Sequence, residues 1–260
     1  MKKYRLPTGM RYVTLEERKR FYTKEFDLEK VAVWLGKRPT KVKFAVIIGR
    51  HTRIFPEKYR DDSDTTIIID EYKSPSEVGD QIIEFLPESV YYDRNVYDSH
   101  DRKIGQELAF DIDPENITCP VHGDLANKMK VGQGLGFCEL ELQMANDQAL
   151  RLHEYLEKDF SLMRIVYSGR GFHIHVLDEE TIAWNEKKRH LIAVEVKKKG
   201  FAIDEWVTAG EMRLIRLPYS LHGLVSRIAL PLEKKEMDSF NPLSDERCIP
   251  KFLRDMPISS

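Results

Sequence analysis

Asp111 and Asp113 flank Ile112 at the end of the apolar run Glu107 to Asp113, ELAFDID. Side chains along a strand alternate faces with period two, so both carboxylates emerge on the same side. Like charges so close repel and push one pKa upward unless a cation sits between them, which makes the pair a candidate divalent-metal site. A surface turn is the plainer reading, since Asp113 to Asn116 (DPEN) is also good turn and N-cap chemistry. Ser168 to His173 (SGRGFH) places a hydroxyl, a guanidinium, flexible backbone and an imidazole between two apolar runs. Glycines let backbone N–H groups approach an anion, Arg170 can grip it with two donors, and Ser168 and His173 add more, so the turn suits phosphate. An ordinary hairpin carrying a surface arginine is the alternative. The Gly-Lys-Ser/Thr ending of a Walker loop is absent, so P-loop hydrolysis is not indicated. His173 and His175 are two apart and share a face, which keeps a metal-hydrolase reading open. Asp204 ends a third short apolar run, where a further carboxylate could complete the metal site. Arg216 and His222 lie around a Pro-containing bend as candidate triphosphate donors, although each alone also reads as surface charge.

These residues need strands and helices to position them. Thr14-Leu15-Glu16-Glu17 reads as a capping box opening a helix, with an apolar stripe through Phe21, Phe26, Leu28, Val31 and Trp34 that breaks near Asp27. Strands are predicted at Lys43 to Gly49, Thr65 to Tyr72 and Ser89 to Tyr92, with a helix over Ser76 to Phe85. The Glu107 to Asp113 strand leads into a loop from Pro114 to Gly136. A long helix over about Glu139 to Phe160 precedes strands at Met163 to Ser168 and Phe172 to Leu177. A charged helix over Glu180 to Lys199 follows, then strands at Phe201 to Ile203, Leu214 to Leu217 and Leu224 to Leu230, and a tail of loop plus short helix. The connections are too varied for a regular doubly wound sheet, so the expected class is α+β, a mixed α/β domain.

The 260 residues, 42% hydrophobic and 32% charged, exclude wholesale disorder. No apolar run approaches the roughly 20 residues of a membrane helix and the N-terminus lacks a secretory apolar core, so an intracellular protein with no membrane partner is expected. Three scattered cysteines, Cys119, Cys138 and Cys248, make no disulfide framework and fit a reducing compartment. The net charge of -2 argues against a generic nucleic-acid binder, yet residues 1–60 carry 17 Lys+Arg against 6 Asp+Glu and residues 61–120 carry 4 against 16. A basic surface for phosphates beside an acidic cluster for cations is the combination nucleotidyl transfer requires; mutual neutralisation of neighbouring segments is the rival explanation.

Together, LAFDIDPENI (Leu108 to Ile117), IVYSGRGFHIHV (Ile165 to Val176) and AIDEWVTAGEMRLIRLPYSLHG (Ala202 to Gly223) resemble the catalytic small subunit of archaeal and eukaryotic DNA primases. ERKRFYTKEF, FAVIIG and YYDRNVYD add to the likeness, which runs from about Arg11 to Leu232. The resemblance implies one primase catalytic domain over 1–260, with mixed sheets flanked by helices. It implies that Asp111, Asp113 and Asp204 hold catalytic Mg2+ or Mn2+ and that Ser168, Arg170, His173, Arg216 and His222 bind the incoming triphosphate. Two metals would activate the attacking 3′-hydroxyl and neutralise the phosphates, with no protein nucleophile needed. Implied partners are a single-stranded DNA template, nucleoside triphosphates and a noncatalytic large subunit in a heterodimer, in archaeal cytoplasm, or the nucleus if the source is eukaryotic. The implied product is short RNA primers for replication. Lys41, Lys43, Arg50 and Arg53 are candidates for guiding phosphates.

Family members usually carry zinc just after the two-aspartate strand. Here Cys119, His122 and Cys138 fall in that stretch without a fourth cysteine or histidine; Glu141, spaced from Cys138 like the second residue of a CxxC, is the candidate fourth ligand, with Asp124 another, in a loop spanning 114–141. A decayed site is the alternative, and either would be structural. Only a helix-length segment separates His175 from Asp204, so no large helical insertion is expected. The rivals are a stand-alone primase-polymerase or end-joining polymerase, a metal-dependent phosphodiesterase using Asp111, Asp113, His173 and His175, and a binding subunit with a relic site.

Overall fold

The computed structural model of the chain describes residues 6–36, 42–69, 75–130 and 136–254. In chain order the helices are α1 (Leu15–Lys24), α2 (Leu28–Leu35), α3 (Pro75–Phe85), α4 (Leu125–Lys130), α5 (Glu139–Leu156), α6 (Glu179–Ile182), α7 (Glu186–Lys198), α8 (Glu205–Ala209) and α9 (Lys251–Arg254). The strands are β1 (Phe44–Ile47), β2 (Thr66–Ile69), β3 (Ser89–Asp93), β4 (Asn95–Tyr97), β5 (Lys103–Gln106), β6 (Leu108–Ile112), β7 (Met163–Tyr167), β8 (Phe172–Val176), β9 (Leu214–Arg216), β10 (Leu221–His222), β11 (Arg227–Ile228) and β12 (Leu230–Leu232). Helices mixed with antiparallel sheets make this an α+β protein, as expected. The chain forms two compact units, one built mainly from Ile104–Arg213 with Pro231–Phe240, the other from Met10–Lys103, Leu214–Leu230 and the residues from Asn241 on.

The first unit is a sheet in the order β12-β7-β8-β6, with β8 antiparallel to both β6 and β7. Every residue of β8 is buried, which is why Phe172 to Val176 reads as a near-continuous apolar run interrupted only by its two histidines. Helix α5 packs on this sheet through Leu142, Ala145, Ala149, Leu152 and Leu156, spaced by three, four, three and four as one helical face requires. The register sets Asp111 opposite His173 and Ala109 opposite His175.

The second unit is a sheet in the order β2-β1-β3-β9, antiparallel throughout, with α1 and α2 packed against α3. The Thr14–Glu17 capping box forms, and Asp27 caps α2 by accepting from the amides of Glu29 and Lys30, so the expected break near Asp27 is a second N-cap. Arg18, wholly buried on α1, donates to the carbonyls of Ile48 and Ile54 and to the Thr52 hydroxyl, tying the helix to the loop after β1.

Several expected boundaries move. The charged helix is two helices, because Asn185 accepts from the Lys188 amide and restarts the chain as α7. Residues 201–203 form no strand; they are the extended lead-in to α8. Helix α5 stops at Leu156, and Leu224 and Val225 lie in a turn before β11. Helix α4 and strands β4 and β5 were not expected; each is six residues or fewer, too short for a periodic pattern to mark it. Among the described residues, α6 and α7 alone fill the interval from His175 to Asp204. Lys41, Asp70 to Tyr72 of one expected strand and 131–135 of the candidate zinc loop lie outside the described residues.

Candidate active site

Asp113 and Asp204 lie near enough to Asp111 in the first unit to act on its charge. Asp111 is the last residue but one of β6, Asp113 follows the strand in extended conformation as the N-cap of a short 3-10 turn, and Asp204 caps α8. Backbone pairing joins the last of these to the first: the Asp204 amide donates to the Asp111 carbonyl at 2.8 Å. Burial, then Asp113, then Asp204 push the Asp111 carboxyl well above its ordinary value, with Arg170 pulling the other way. Its Oδ1 atom is buried and accepts no hydrogen bond; His173 Nε2 stands 3.4 Å away. A buried anion oxygen that no donor satisfies, pressed by two further carboxylates, is an environment a divalent cation would relieve.

The turn after β7 closes on itself. The Ser168 amide donates to the Gly171 carbonyl at 2.9 Å and the Gly171 amide returns to the Ser168 hydroxyl at 3.0 Å, while Gly169 takes a φ of 99°. Gly171 is required by proximity: a Cβ there would sit 2.3 Å from the Ile112 carbonyl and 2.8 Å from Asp113 Oδ1. The turn is therefore packed directly against the two-aspartate strand. Arg170 Nη2 reaches Asp113 Oδ2 at 3.1 Å and Glu115 Oε2 at 2.8 Å. Burial pulls the guanidinium down, but Asp113 and Glu115 outweigh it and hold it above its ordinary value. Glu115 is pushed up, first by burial, although Arg170 opposes that. Glu115 is thus a member of the cluster that sequence reasoning treated as turn chemistry. Behind His173, the ring of His175 lies edge-on at 5.8 Å and its Nδ1 meets Glu107 Oε1 at 2.6 Å. His175 and Glu107 are buried in this pairing, so His175 stands behind His173 as support.

Arg216 and His222 belong to the second unit, on β9 and β10. Arg216 lies over the Tyr91 ring, 4.7 Å from its centre, with Nη2 3.2 Å from the Tyr91 hydroxyl; its buried Nη1 has no hydrogen-bond partner. Of the basic segment, Lys43 sits over Tyr97 and reaches Asp101 at 3.5 Å, Arg53 pairs with Asp64, and Arg50 is exposed.

A second cluster lies in the first unit. Cys119, His122, Cys138 and Glu141 place one ligand atom each within 4.8 Å of one another. The Cys119 amide and carbonyl exchange hydrogen bonds with Gly123, whose φ of 79° permits the tight reversal that brings His122 Nδ1 to 3.4 Å from Cys119 Sγ. Cys138 is the N-cap of α5 and Glu141 its N3 residue, joined as a capping box: the sulfur accepts from the Glu141 amide and the carboxylate from the Cys138 amide. The spacing that suggested a ligand pair is thus also a helix-start spacing. Burial raises the Cys138 thiol above its ordinary value. Lys128 is buried beside Glu141 at 2.6 Å and donates to the Ile117 carbonyl, also at 2.6 Å. It balances the carboxylate and anchors α4.

The fold is similar to the polymerase domain of Mycobacterium tuberculosis ligase D in complex with DNA, with a TM-score of 0.53 and 15% identity over 94% of this chain and 90% of that one. That likeness shows a shared α+β fold. An Archaeoglobus fulgidus protein described as DNA primase small subunit-like is 48% identical across 98% of this chain and 96% of its own length. The chain therefore belongs to the DNA primase small-subunit family, as an archaeal-type member, and its catalytic function is nucleotidyl transfer. The small subunit PriS of Pyrobaculum arsenaticum is 29% identical over 64% of the chain, and A. fulgidus PriS is 26% identical over 60%. No family model matches the chain.

Proposed function

We propose that this chain is a template-dependent primase catalytic subunit that joins nucleoside triphosphates into short RNA primers on single-stranded DNA for replication. The observation that carries the proposal is the buried Asp111 Oδ1, which accepts no hydrogen bond, with Asp113 and Asp204 near enough to act on its charge and the Arg170 turn beside them. These three carboxylates would hold Mg2+ or Mn2+, which when bound supplies activation of the attacking 3′-hydroxyl and charge neutralisation at the α-phosphate and pyrophosphate. Arg170, held by Asp113 and Glu115, would exchange those partners for triphosphate oxygens. Ser168 shapes the turn and His173 adds a donor; for Arg216 and His222 the same triphosphate role rests on the resemblance. Cys119, His122, Cys138 and Glu141 would hold structural Zn2+, with Lys128 steadying the carboxylate. One catalytic domain over 1–260, a large-subunit partner and an archaeal cytoplasmic setting complete the proposal. Among the described residues no helix is long and apolar enough to cross a membrane.

The test combines labelled nucleotides, unprimed single-stranded DNA and divalent metal. Asp111→Ala should abolish incorporation while DNA retention persists; surviving incorporation would remove the metal assignment. Arg170→Ala and His222→Ala should chiefly raise the nucleotide KM, and an unchanged KM in both would contradict their role. One observation favours a second reading: A. fulgidus has both a relative 48% identical to this chain and a separate PriS only 26% identical. A stand-alone primase-polymerase working beside a distinct replicative subunit fits that pairing. De novo dinucleotide synthesis on unprimed template supports the first reading, and extension of existing ends alone supports the second.

A further inference from the structure

Trp206 is 60% exposed and lies two residues after Asp204. Helix α8 buries Val207, Thr208 and Ala209 on its other side, so the indole is held outside while the backbone beneath it is anchored. The anchoring runs through the carboxylate cluster. The Trp206 amide donates to Asp204 Oδ1 at 2.9 Å, the Asp204 amide donates to the Asp111 carbonyl at 2.8 Å, and the Trp206 carbonyl accepts from the Met212 amide at 3.1 Å. Met212 is itself 51% exposed. Exposed basic groups stand next to the same helix: Lys197 at the end of α7 reaches Glu205 Oε1 at 3.1 Å, and Lys198 and Lys199 follow it in solvent.

An isolated exposed aromatic side chain needs no explanation. A wide aromatic face whose own backbone amide is bonded to Asp204, with the exposed Lys198 and Lys199 following the Glu205-paired Lys197 in sequence, is different, because it offers the two elements of single-strand recognition: a stacking surface for bases and positive charge for the phosphates between them. We propose that the indole face of Trp206 is a stacking platform for a nucleobase of the nucleic-acid strand entering the carboxylate cluster. The proposal rests on the nucleotidyl-transfer reading above and adds a base-binding residue to it. Such stacking is indifferent to sequence, since every base has a π-face, as a chain that must copy any template needs.

The experiment compares the full chain with Trp206→Ala and Trp206→Phe, exposed changes that leave the packing of α8 intact. Of the three tryptophans, Trp34 is buried and Trp184 is half-buried against Phe160 and Lys188, so the part of the quenching that is lost in Trp206→Ala and Trp206→Phe reports on Trp206. Oligo(dT) without nucleotide should quench wild-type fluorescence, and Trp206→Ala should weaken oligonucleotide binding roughly five-fold to a hundred-fold, with Trp206→Phe recovering most of it. A parallel titration with nucleoside triphosphate alone separates the two sources of a base; quenching by the nucleotide and not by the strand overturns the proposal. So does a Trp206→Ala protein that matches wild type in oligonucleotide affinity, or one that differs only in oligomeric state. A wild-type chain that binds and is quenched but incorporates no nucleotide leaves the platform standing and removes the primase reading instead.

Discussion

Glu88 in one unit and Asp111 in the other are both carboxylates largely withdrawn from water, and their surroundings drive them in opposite directions. Burial pushes Glu88 upward, yet donors from His51 and Thr52 outweigh it and hold the group below the ordinary carboxylate range. The amides of His51 and Thr52 donate to its two oxygens at 3.1 and 2.9 Å, the Thr52 hydroxyl at 2.7 Å, and the His51 ring lies at 2.6 Å. Asp111 has burial, Asp113 and Asp204 all acting against its charge, and its Oδ1 accepts nothing. Burial therefore does not separate a structural acid from a reactive one; the supply of donors does. Glu88 finishes a fold, whereas on the proposed reading Asp111 is left in a state that an incoming cation would complete, at a cost in stability that the metal role would explain.

The strongest test of that contrast is Asp111→Asn, which keeps the shape and removes the charge. Nucleotide incorporation should fall by roughly a thousand-fold, while thermal unfolding of the metal-free protein should show equal or greater stability, by up to about 2 kcal/mol. A loss of stability would show that Asp111 is a structural acid like Glu88. Next in size is Glu88→Ala, which strips the loop after β1 of its acceptor and leaves Arg18 without its nearby counter-charge. Denaturant unfolding should report a loss of about 3–5 kcal/mol; a change under 1 kcal/mol would erase the distinction. Lys128→Met extends the comparison to a third acid. Removing the ammonium leaves Glu141 buried beside two thiols, and the metal-free chain should lose about 3 kcal/mol. Added Zn2+ should restore most of it if the Cys119, His122, Cys138 and Glu141 set binds the ion, which a thermal shift reads directly.

The smallest expected effect is a pH slope. Asp111 has a folded pKa above the ordinary 3.8, so between the two values the folded chain binds the extra proton and stability falls as pH rises. Glu88 has the reverse sign: its contribution is present above the ordinary 4.5 and is lost as pH falls through the lower folded value. Melting temperature followed from pH 3 to 8 without metal should therefore rise and then decline. Asp111→Asn should remove the decline and Glu88→Ala should flatten the rise. A decline that persists in Asp111→Asn would place its source elsewhere.

The parts of this site visible in the sequence are those set by local spacing. Two aspartates one residue apart on a strand, a Gly-flanked arginine in a hairpin turn and an aspartate ending a short apolar run need no tertiary knowledge to be seen as candidates. What stayed hidden depends on register. Glu115 looks like turn chemistry in DPEN, and only the packing of Gly171 against Ile112 brings Arg170 onto it across 55 positions of sequence. Glu107 and His175 become a pair because β6 and β8 run antiparallel in one register; a slip of one residue would have separated them. Lys128 was invisible for another reason: a lysine on a short polar helix is normally solvated, and nothing local announces that its ammonium is buried against backbone carbonyls and Glu141. The capping box at Cys138 shows the converse hazard, in which one spacing serves a helix start and a ligand pair together.

The central claim is that the three carboxylates of the first unit hold a divalent cation through Asp111. Its most direct test is Mn2+ binding, followed by calorimetry, to the wild-type chain and to Asp111→Asn. The expected result is a wild-type site whose affinity falls at least ten-fold in the variant; equal affinity in the two proteins would contradict the claim.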